Sequence, residues 1–242
     1  MPHKQVEEQV KCMLDAGIKE IVLSGVDIGA YDDNGFDLED LCKSLLEIIG
    51  DRLARIRISS IEPNNVSDDL IDIIAGADGK ICRHLHMPLQ SGSSKVLKEM
   101  ARHYNADEYL EVVDRLQKKI PSIALSTDII VGFPGESDAD FKESIELSKK
   151  CGFMKIHVFP YSKRHGTPAA DRPDQISDEV KNERAKVLRE LSDELAVEDF
   201  KSRAGSIEDV LVENEVQGRS ESYHLLDLSE GFTPGDLIKV QL

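Results

Sequence analysis

The sequence contains no tryptophan, few aromatic residues of any kind (5%) and only four cysteines among 242 residues. Cys12, Cys42, Cys82 and Cys151 are scattered, with no C-x-x-C or C-x-x-x-C-x-x-C spacing, which gives no zinc or iron–sulfur signature. They are expected to be ordinary buried thiols in a reducing compartment. Long apolar runs are also missing: nothing approaches the roughly 18 residues of a spanning helix. Met1 to Val10 carries charge where a signal peptide has its apolar core. A cytoplasmic location with no membrane partner is the expectation. Positive charge is scarce, with 30 Lys and Arg against 46 Asp and Glu, a net charge of −16. That balance disfavours general attachment to nucleic acid or anionic membrane, because binding phosphates needs Lys and Arg to displace counterions, so any nucleic-acid site must be local. What remains is an ordinary globular composition, 40% hydrophobic and 31% charged. The length suits one large domain, or a large one with a small appendage.

Apolar residues recur at helical spacing over Gln5 to Leu14 (Val6, Val10, Met13, Leu14), and Ile18 to Leu23 follows as a β-rich run. The alternation continues. Asp37 caps a helix carrying Leu38, Leu41, Leu45 and Ile48 that Gly50 ends, and Leu53 to Ile61 is a strand. Ser67 caps a helix through Ala75, and Ile81 to Met87 is extended. Helices over Ser93 to Met100 and Asp107 to Lys119 lead to a buried strand, Ile123 to Val131. A helix from Ser137 to Lys150 with a Ser137-x-x-Asp140 capping signal then precedes a strand from Met154 to Phe159. Strands separated by helices imply parallel crossovers, hence an α/β sheet or incomplete barrel over the first 160 or so residues. A Pro- and charge-rich link, Lys163 to Gln175, leads to a long helix, Ser177 to Phe200, with Val180, Val187, Leu188, Leu191 and Leu195 on one face to cover the sheet. From Ala204 the pattern is β only: Asp209 to Glu213, Tyr223 to Leu228 and Leu237 to Leu242, separated by Gly218 and the Pro234-Gly235-Asp236 turn.

In parallel α/β folds the chemistry sits at the strand C-termini, and polar residues collect there: Ser24 to Asp27, Ser59 to Pro63, Pro88 to Gly92, Gly132 to Glu136 and Pro160 to Ser162. His84 and His86, at i and i+2 of a strand, share one side, as metal ligands would, but lack an adjacent third ligand. Hydrogen bonding at the barrel interior or mouth is the favoured reading, with the Gln90-Ser91-Gly92 loop presenting amides to a ligand. Asp128 is an ionisable residue in an otherwise apolar strand, which requires either a polar cavity or a partner. Gly132 and Gly135 either build a tight turn or let a flat ligand approach the backbone. Lys163-Arg164-His165 is the most basic short run at this end, compatible with phosphate or RNA contact and equally with solvated surface.

Taken together, Leu23-Ser24-Gly25-Val26, Ser59-Ser60-Ile61-Glu62-Pro63, His84 to Ser93, Asp128 to Glu136 and His157 to Thr167 resemble the methylthiotransferase branch of the radical S-adenosylmethionine enzymes. The resemblance runs from about Pro2 to the C-terminus. The Ser-Ser-Ile-Glu-Pro and His-Val-Phe-Pro-Tyr-Ser-x-Arg-x-Gly-Thr stretches resemble the group that methylthiolates N6-threonylcarbamoyladenosine in tRNA (the MtaB type). Sibling groups, acting on isopentenyladenosine in tRNA or on an aspartate of a ribosomal protein, read differently there.

The resemblance implies a partial TIM-like (β/α) barrel of the radical SAM type over residues 1–201, followed by a small all-β TRAM-like module over 202–242. It implies S-adenosyl-L-methionine as cofactor, two [4Fe–4S] clusters in the intact protein with their electron donor, and tRNA as partner. By position in that family, Ser24 and Gly25 would meet the methionine end of the cofactor, Glu62 and Gln90 its ribose or the substrate, and Asp128 with Gly132 its adenine. His86, Lys163 and Arg164 would face the substrate, and no residue is singled out as catalytic. Two departures stand out. Residues 202–242 hold three Lys and Arg against eight Asp and Glu, a sign that does not suit a module gripping phosphate. The family's cluster loop has no counterpart among the four cysteines, so the first strand, that loop and an N-terminal domain are expected upstream of Met1, and this polypeptide is expected to be an inactive fragment. The alternatives are a methylthiotransferase acting on a ribosomal protein, and a cluster-free module that binds RNA or protein without catalysis.

Overall fold

The computed structural model describes residues 1–229 and 231–242. The helices are α1 (His3–Asp15), α2 (Leu38–Ile49), α3 (Asp68–Gly76), α4 (Ser94–Glu99), α5 (Ala106–Lys119), α6 (Asp138–Cys151) and α7 (Asp178–Ser202). The strands are β1 (Glu20–Leu23), β2 (Arg55–Ile58), β3 (His84–His86), β4 (Ala124–Val131), β5 (Lys155–Pro160), β6 (Ile207–Asn214), β7 (Gln217–Ser220), β8 (Leu225–Asp227) and β9 (Leu237–Gln241). Among these residues no helix is long and apolar enough to cross a membrane. The chain forms two compact units, one of Met1–His86, Leu116–Ala124 and Arg203–Leu242, the other of Met87–Arg115 and Leu125–Ser202.

In the first unit β1 and β2 run parallel, Ile21 opposite Ile56, and parallel bridges Ile56–Ile81 and Ser60–His86 extend the layer toward β3. The i, i+3, i+4 apolar stripe of α2 supplies Leu38, Leu41, Leu45 and Ile49 to the core, as expected of an amphipathic helix. Its entry is fixed by Asp37, whose Oδ1 accepts from the Asp40 amide at 2.9 Å. The expected strand Leu53 to Ile61 is shorter at both ends, and a 3₁₀ turn at Pro63–Asn65 takes up the chain after it.

The C-terminal residues form an antiparallel sheet in the order β8-β7-β6-β9. Two expectations change here. Gly218 lies inside β7 rather than separating strands, because a Cβ there would come 2.6 Å from Val210 Cγ1 and 2.9 Å from the Leu211 carbonyl oxygen. Tyr223 precedes β8 instead of belonging to it, with a left-handed φ of 73° that no strand residue adopts.

This sheet is fastened to β2. The Arg-Ile-Arg-Ile sequence of β2 is buried along its whole length, both guanidiniums included. Arg55 donates to the carbonyls of Asp209 (2.5 Å) and Arg219 (2.9 Å), and Arg57 to those of Ser220 and Glu221 (3.1 Å each). Glu20 of β1 faces both arginines, accepting from Arg55 Nε at 2.6 Å and from Arg57 Nε at 2.9 Å.

In the second unit β4 and β5 run parallel, Asp128 opposite His157 and Ile130 opposite Phe159. Ser137 and Asp140 complete the expected capping box at the start of α6. Helix α7 packs on β5, with Ser192 Oγ accepting from the Ile156 amide at 2.9 Å. Its buried face holds Ala185, Leu188, Leu191 and Leu195 together with Lys181 and Arg184. Val180, expected on that face, is exposed. The face turns at the helix N-terminus because Arg184 is drawn inward by Glu136, whose Oε2 lies 2.6 Å away.

Candidate functional site

In the first unit, loops leave the C-terminal ends of β1 and β2 side by side. Asn65 Nδ2 donates to Asp27 Oδ1 at 3.2 Å, and Gly29 gives the Asn65 side chain room that a Cβ, at 2.3 Å, would fill. Ser24 and Gly25 are exposed and line a cavity of about 300 Å³ whose other walls include Val10, Leu23, Ile28 and Leu41. Glu62, half-buried, opens the 3₁₀ turn after β2. The half-buried His86 ends β3 beside it, its carbonyl accepting from the Ile61 amide at 3.0 Å. Thus the four positions expected here all fall on the loop end of one parallel layer. Between them the Ser59 hydroxyl is buried without a hydrogen-bond partner. His84, the other histidine of the pair, is instead stacked on Tyr223 with ring centroids 4.7 Å apart. Burial first, and the Arg57 charge second, hold its pKa well below the ordinary histidine value, so it packs as a neutral ring.

In the second unit the segment after Met87 runs beside β4. The Gln90 amide donates to the Asp128 carbonyl at 2.8 Å, and the Ile130 amide to the Gln90 carbonyl at 2.9 Å. Two tyrosine hydroxyls hold this segment from behind, Tyr109 on the Met87 carbonyl and Tyr104 on that of Pro88, both at 2.8 Å. Gln90 itself sits at φ 67°, a conformation that a non-glycine residue keeps only when its surroundings over-determine it. Here they do: Gly92 abuts α6 so closely that a Cβ would lie 2.4 Å from Ser144 Cα, and its amide donates to Ser144 Oγ at 2.8 Å.

Gly132 turns the chain after β4 at φ 73°, its amide donating to Glu136 Oε2 at 2.6 Å. Burial raises the Glu136 pKa more than Gly132 and Arg184 lower it, and its Oε1 has no partner. The Tyr161 hydroxyl nearby is likewise buried and unpartnered, its ring meeting Phe133 edge-on at 5.4 Å and lying 5.8 Å from Lys181 Nζ. Lys163, Arg164 and His165 follow β5 as an exposed run. The structure therefore brings Gln90, Asp128 and Gly132 onto one strand end.

Two features add to the expected set. His157 and Phe159 alternate outward on β5, a period-of-two signal that was present in the sequence. Arg55 and Arg57 showed the same period in β2, but that they bond to carbonyls more than 150 positions later is not a local property.

Comparison with known proteins gives three kinds of match. The family model described as Radical SAM superfamily matches residues 1–148. Among curated relatives, a tRNA-2-methylthio-N(6)-dimethylallyladenosine synthase of Clostridium botulinum (strain Okra / Type B1) is 39% identical over 99% of this chain and 55% of its own length. The threonylcarbamoyladenosine tRNA methylthiotransferase MtaB of Bacillus subtilis (strain 168) is 45% identical over 81% of this chain and 43% of its own. The chain thus spans about half the length of these relatives. Among solved structures, coproporphyrinogen III oxidase (HemN) from Escherichia coli, a radical SAM enzyme, superposes with a TM-score of 0.57 at 13% identity, covering 78% of this chain and 46% of that one.

Proposed function

Since the chain belongs to the radical SAM superfamily, we propose that it is the barrel and C-terminal part of a tRNA methylthiotransferase that adds a methylthio group to C2 of N6-threonylcarbamoyladenosine. The observation that carries the choice of substrate is the likeness to the Bacillus subtilis enzyme, together with the position of the Ser59–Pro63 and His157–Thr167 stretches after and along β2 and β5.

S-adenosylmethionine fits the residues present. In the first unit the buried Ser59 hydroxyl lacks a partner, and nothing closer than ordinary contact crowds Gly25. When bound it supplies the adenosyl group through which hydrogen is taken from the substrate. In the first unit Ser24 and Gly25 serve its methionine end and Glu62 its ribose or the substrate. In the second, Gln90 shares that ribose or substrate role, Asp128 and Gly132 flank the adenine, and Lys163 with Arg164 meets the RNA, as His86 does from the first unit. A [4Fe–4S] cluster does not fit the cysteines of this chain. Cys42, Cys82 and Cys151 are buried with thiol pKa values pushed up to about 12 by desolvation, whereas cluster ligands are thiolates.

The net charge of −16 favours a second reading, a ribosomal protein as substrate. Deleting the gene and reading tRNA nucleosides by mass spectrometry separates the two. Loss of the 2-methylthio-N6-threonylcarbamoyl nucleoside is expected. Its persistence alongside loss of the dimethylallyl derivative, or of a methylthio group on a ribosomal protein, overturns the proposal.

A further inference from the structure

We propose that Phe159 is the stacking platform for an unpaired base of the RNA substrate, with Lys163 and Arg164 engaging the adjoining phosphates. The inference rests on the reading that RNA is the substrate and names a residue that reading does not need.

Residues opposite each other in a parallel pair share a side of the sheet, so Asp128, Ile130, His157 and Phe159 lie on one face of β4 and β5. On the other face Thr127, Ile129, Val131 and Ile156 are buried, Val158 is half-buried and Pro160 is exposed. The first face is partly open: Asp128 and Ile130 are half-buried, His157 is exposed, and Phe159, the last residue but one of β5, is 50% exposed. A single exposed apolar ring is ordinary on a protein surface, but this one stands opposite the half-buried Ile130 on a sheet face that also carries the exposed His157. The neighbouring charge indicates what covers it. Lys163 and Arg164 follow four and five residues later, within about 14–18 Å even if the chain were fully extended. Many surface cations of this acidic chain are paired, for example Lys119 with Asp72, Arg172 with Glu99 and Asp174, and Lys239 with Asp209. Among the described residues the Lys163, Arg164 and His165 side chains have no such partner. An exposed aromatic ring followed within a few residues by unpaired cations suits single-stranded nucleic acid: base stacking supplies about 1–3 kcal/mol, and the cations track the backbone.

The absence of tryptophan makes the test direct, because Phe159→Trp installs a single indole reporter. The full chain is titrated with an anticodon stem-loop RNA carrying an adenosine in its loop, with the same RNA abasic at that position, and with S-adenosylmethionine alone. Saturable quenching of the F159W signal by the adenosine RNA is expected, and not by the abasic one. Phe159→Ala should weaken binding about 5- to 150-fold, the range equivalent to one stacked base, and Phe159→Tyr should retain it. Lys163→Ala should weaken all RNAs alike and reduce the slope of log affinity against log salt by about one. If wild-type chain binds the RNA while F159A binds equally well and F159W is not quenched, the inference is overturned and the substrate reading stands. Quenching by S-adenosylmethionine and not by RNA assigns the ring to the cofactor and also overturns it. If the wild-type chain binds no RNA, the substrate reading itself falls and the inference with it. Far-UV circular dichroism checks that these exposed-site variants are folded.

Discussion

Replacing Glu20 by glutamine removes the carboxylate that two buried guanidiniums share. Arg55 is 1% exposed and Arg57 4%, and Glu20 accepts from both, at 2.6 and 2.9 Å. Glutamine keeps the shape but leaves the pair of arginines without their countercharge and turns an N–H donor toward other donors. Breaking a buried pair in this way costs about 3–5 kcal/mol, which for a chain of this size lowers the melting temperature by roughly 6–20 °C. The loss should begin in the C-terminal sheet, since the same guanidiniums donate to the carbonyls of Asp209, Arg219, Ser220 and Glu221. Hydrogen exchange in β6 and β7 should therefore rise more than in β4.

The same variant has a pH signature. Burial pushes the Glu20 pKa upward, but the hydrogen bonds and charges of Arg57 and Arg55 outweigh it and leave the value below that of an ordinary glutamate. A carboxylate depressed in the folded state contributes stability that is present above its unfolded pKa and disappears as pH falls through the folded one. The gap between wild type and Glu20→Gln, measured by urea denaturation at a series of pH values, should be constant near neutrality and narrow as pH falls below about 4. A cost under about 1 kcal/mol at pH 7, or a gap that stays unchanged down to pH 3, refutes the argument that the shared countercharge holds the sheet in place.

Gly92→Ala drives a Cβ to 2.4 Å from Ser144 Cα, where the obstacle is backbone, so about 1–3 kcal/mol or more of overpacking is expected. Gly17→Ala, with φ 87° and open surroundings, meets only backbone strain and should cost about 1 kcal/mol; equal losses for the two in thermal melts would contradict the close-approach account. Ser137→Ala removes the capping box of α6 and should lower stability by about 0.5–2 kcal/mol in denaturant titrations, with glycine recovering most of it. A thiol reagent should label Cys12 in the folded chain at neutral pH and all four cysteines only in denaturant, because the other three are buried and their thiols shifted to about 12; fast labelling of any buried thiol would show the core to be open.

The alternation of helix and strand over the first 160 or so residues was legible because each element states its own period. The Asp37 cap, the Leu38, Leu41, Leu45 stripe and the Gly50 stop of α2 are all local facts. So was the clustering of Ser24, Gly25, Glu62 and His86 at one end of a layer, which follows once strands are parallel. What could not be read was whatever depends on a distant partner. Gly218 signalled a break when taken alone, yet it continues a strand because Val210 and Leu211 approach too closely for any side chain. Val180 fits the apolar stripe of α7 by spacing, but the pairing of Arg184 with Glu136 sets which face is buried.

The β2 sequence sharpens the point. Alternation of Arg and Ile conventionally reads as one wet and one dry face, and it predicts two exposed arginines. Both are buried, because the covering C-terminal sheet offers four carbonyl oxygens and the neighbouring β1 offers Glu20, so a charged face meets its complement as an apolar face would. In β5 the converse holds: the same period of two, carried by His157 and Phe159, leaves an aromatic ring exposed a few residues before the exposed cations of 163–165. Periodicity alone assigns each residue to a face. Whether that face is buried by this chain or left open for another molecule is decided by the chemistry of what lies opposite. The buried arginines of β2 therefore belong to the fold, and the exposed phenylalanine of β5 is where binding is to be tested.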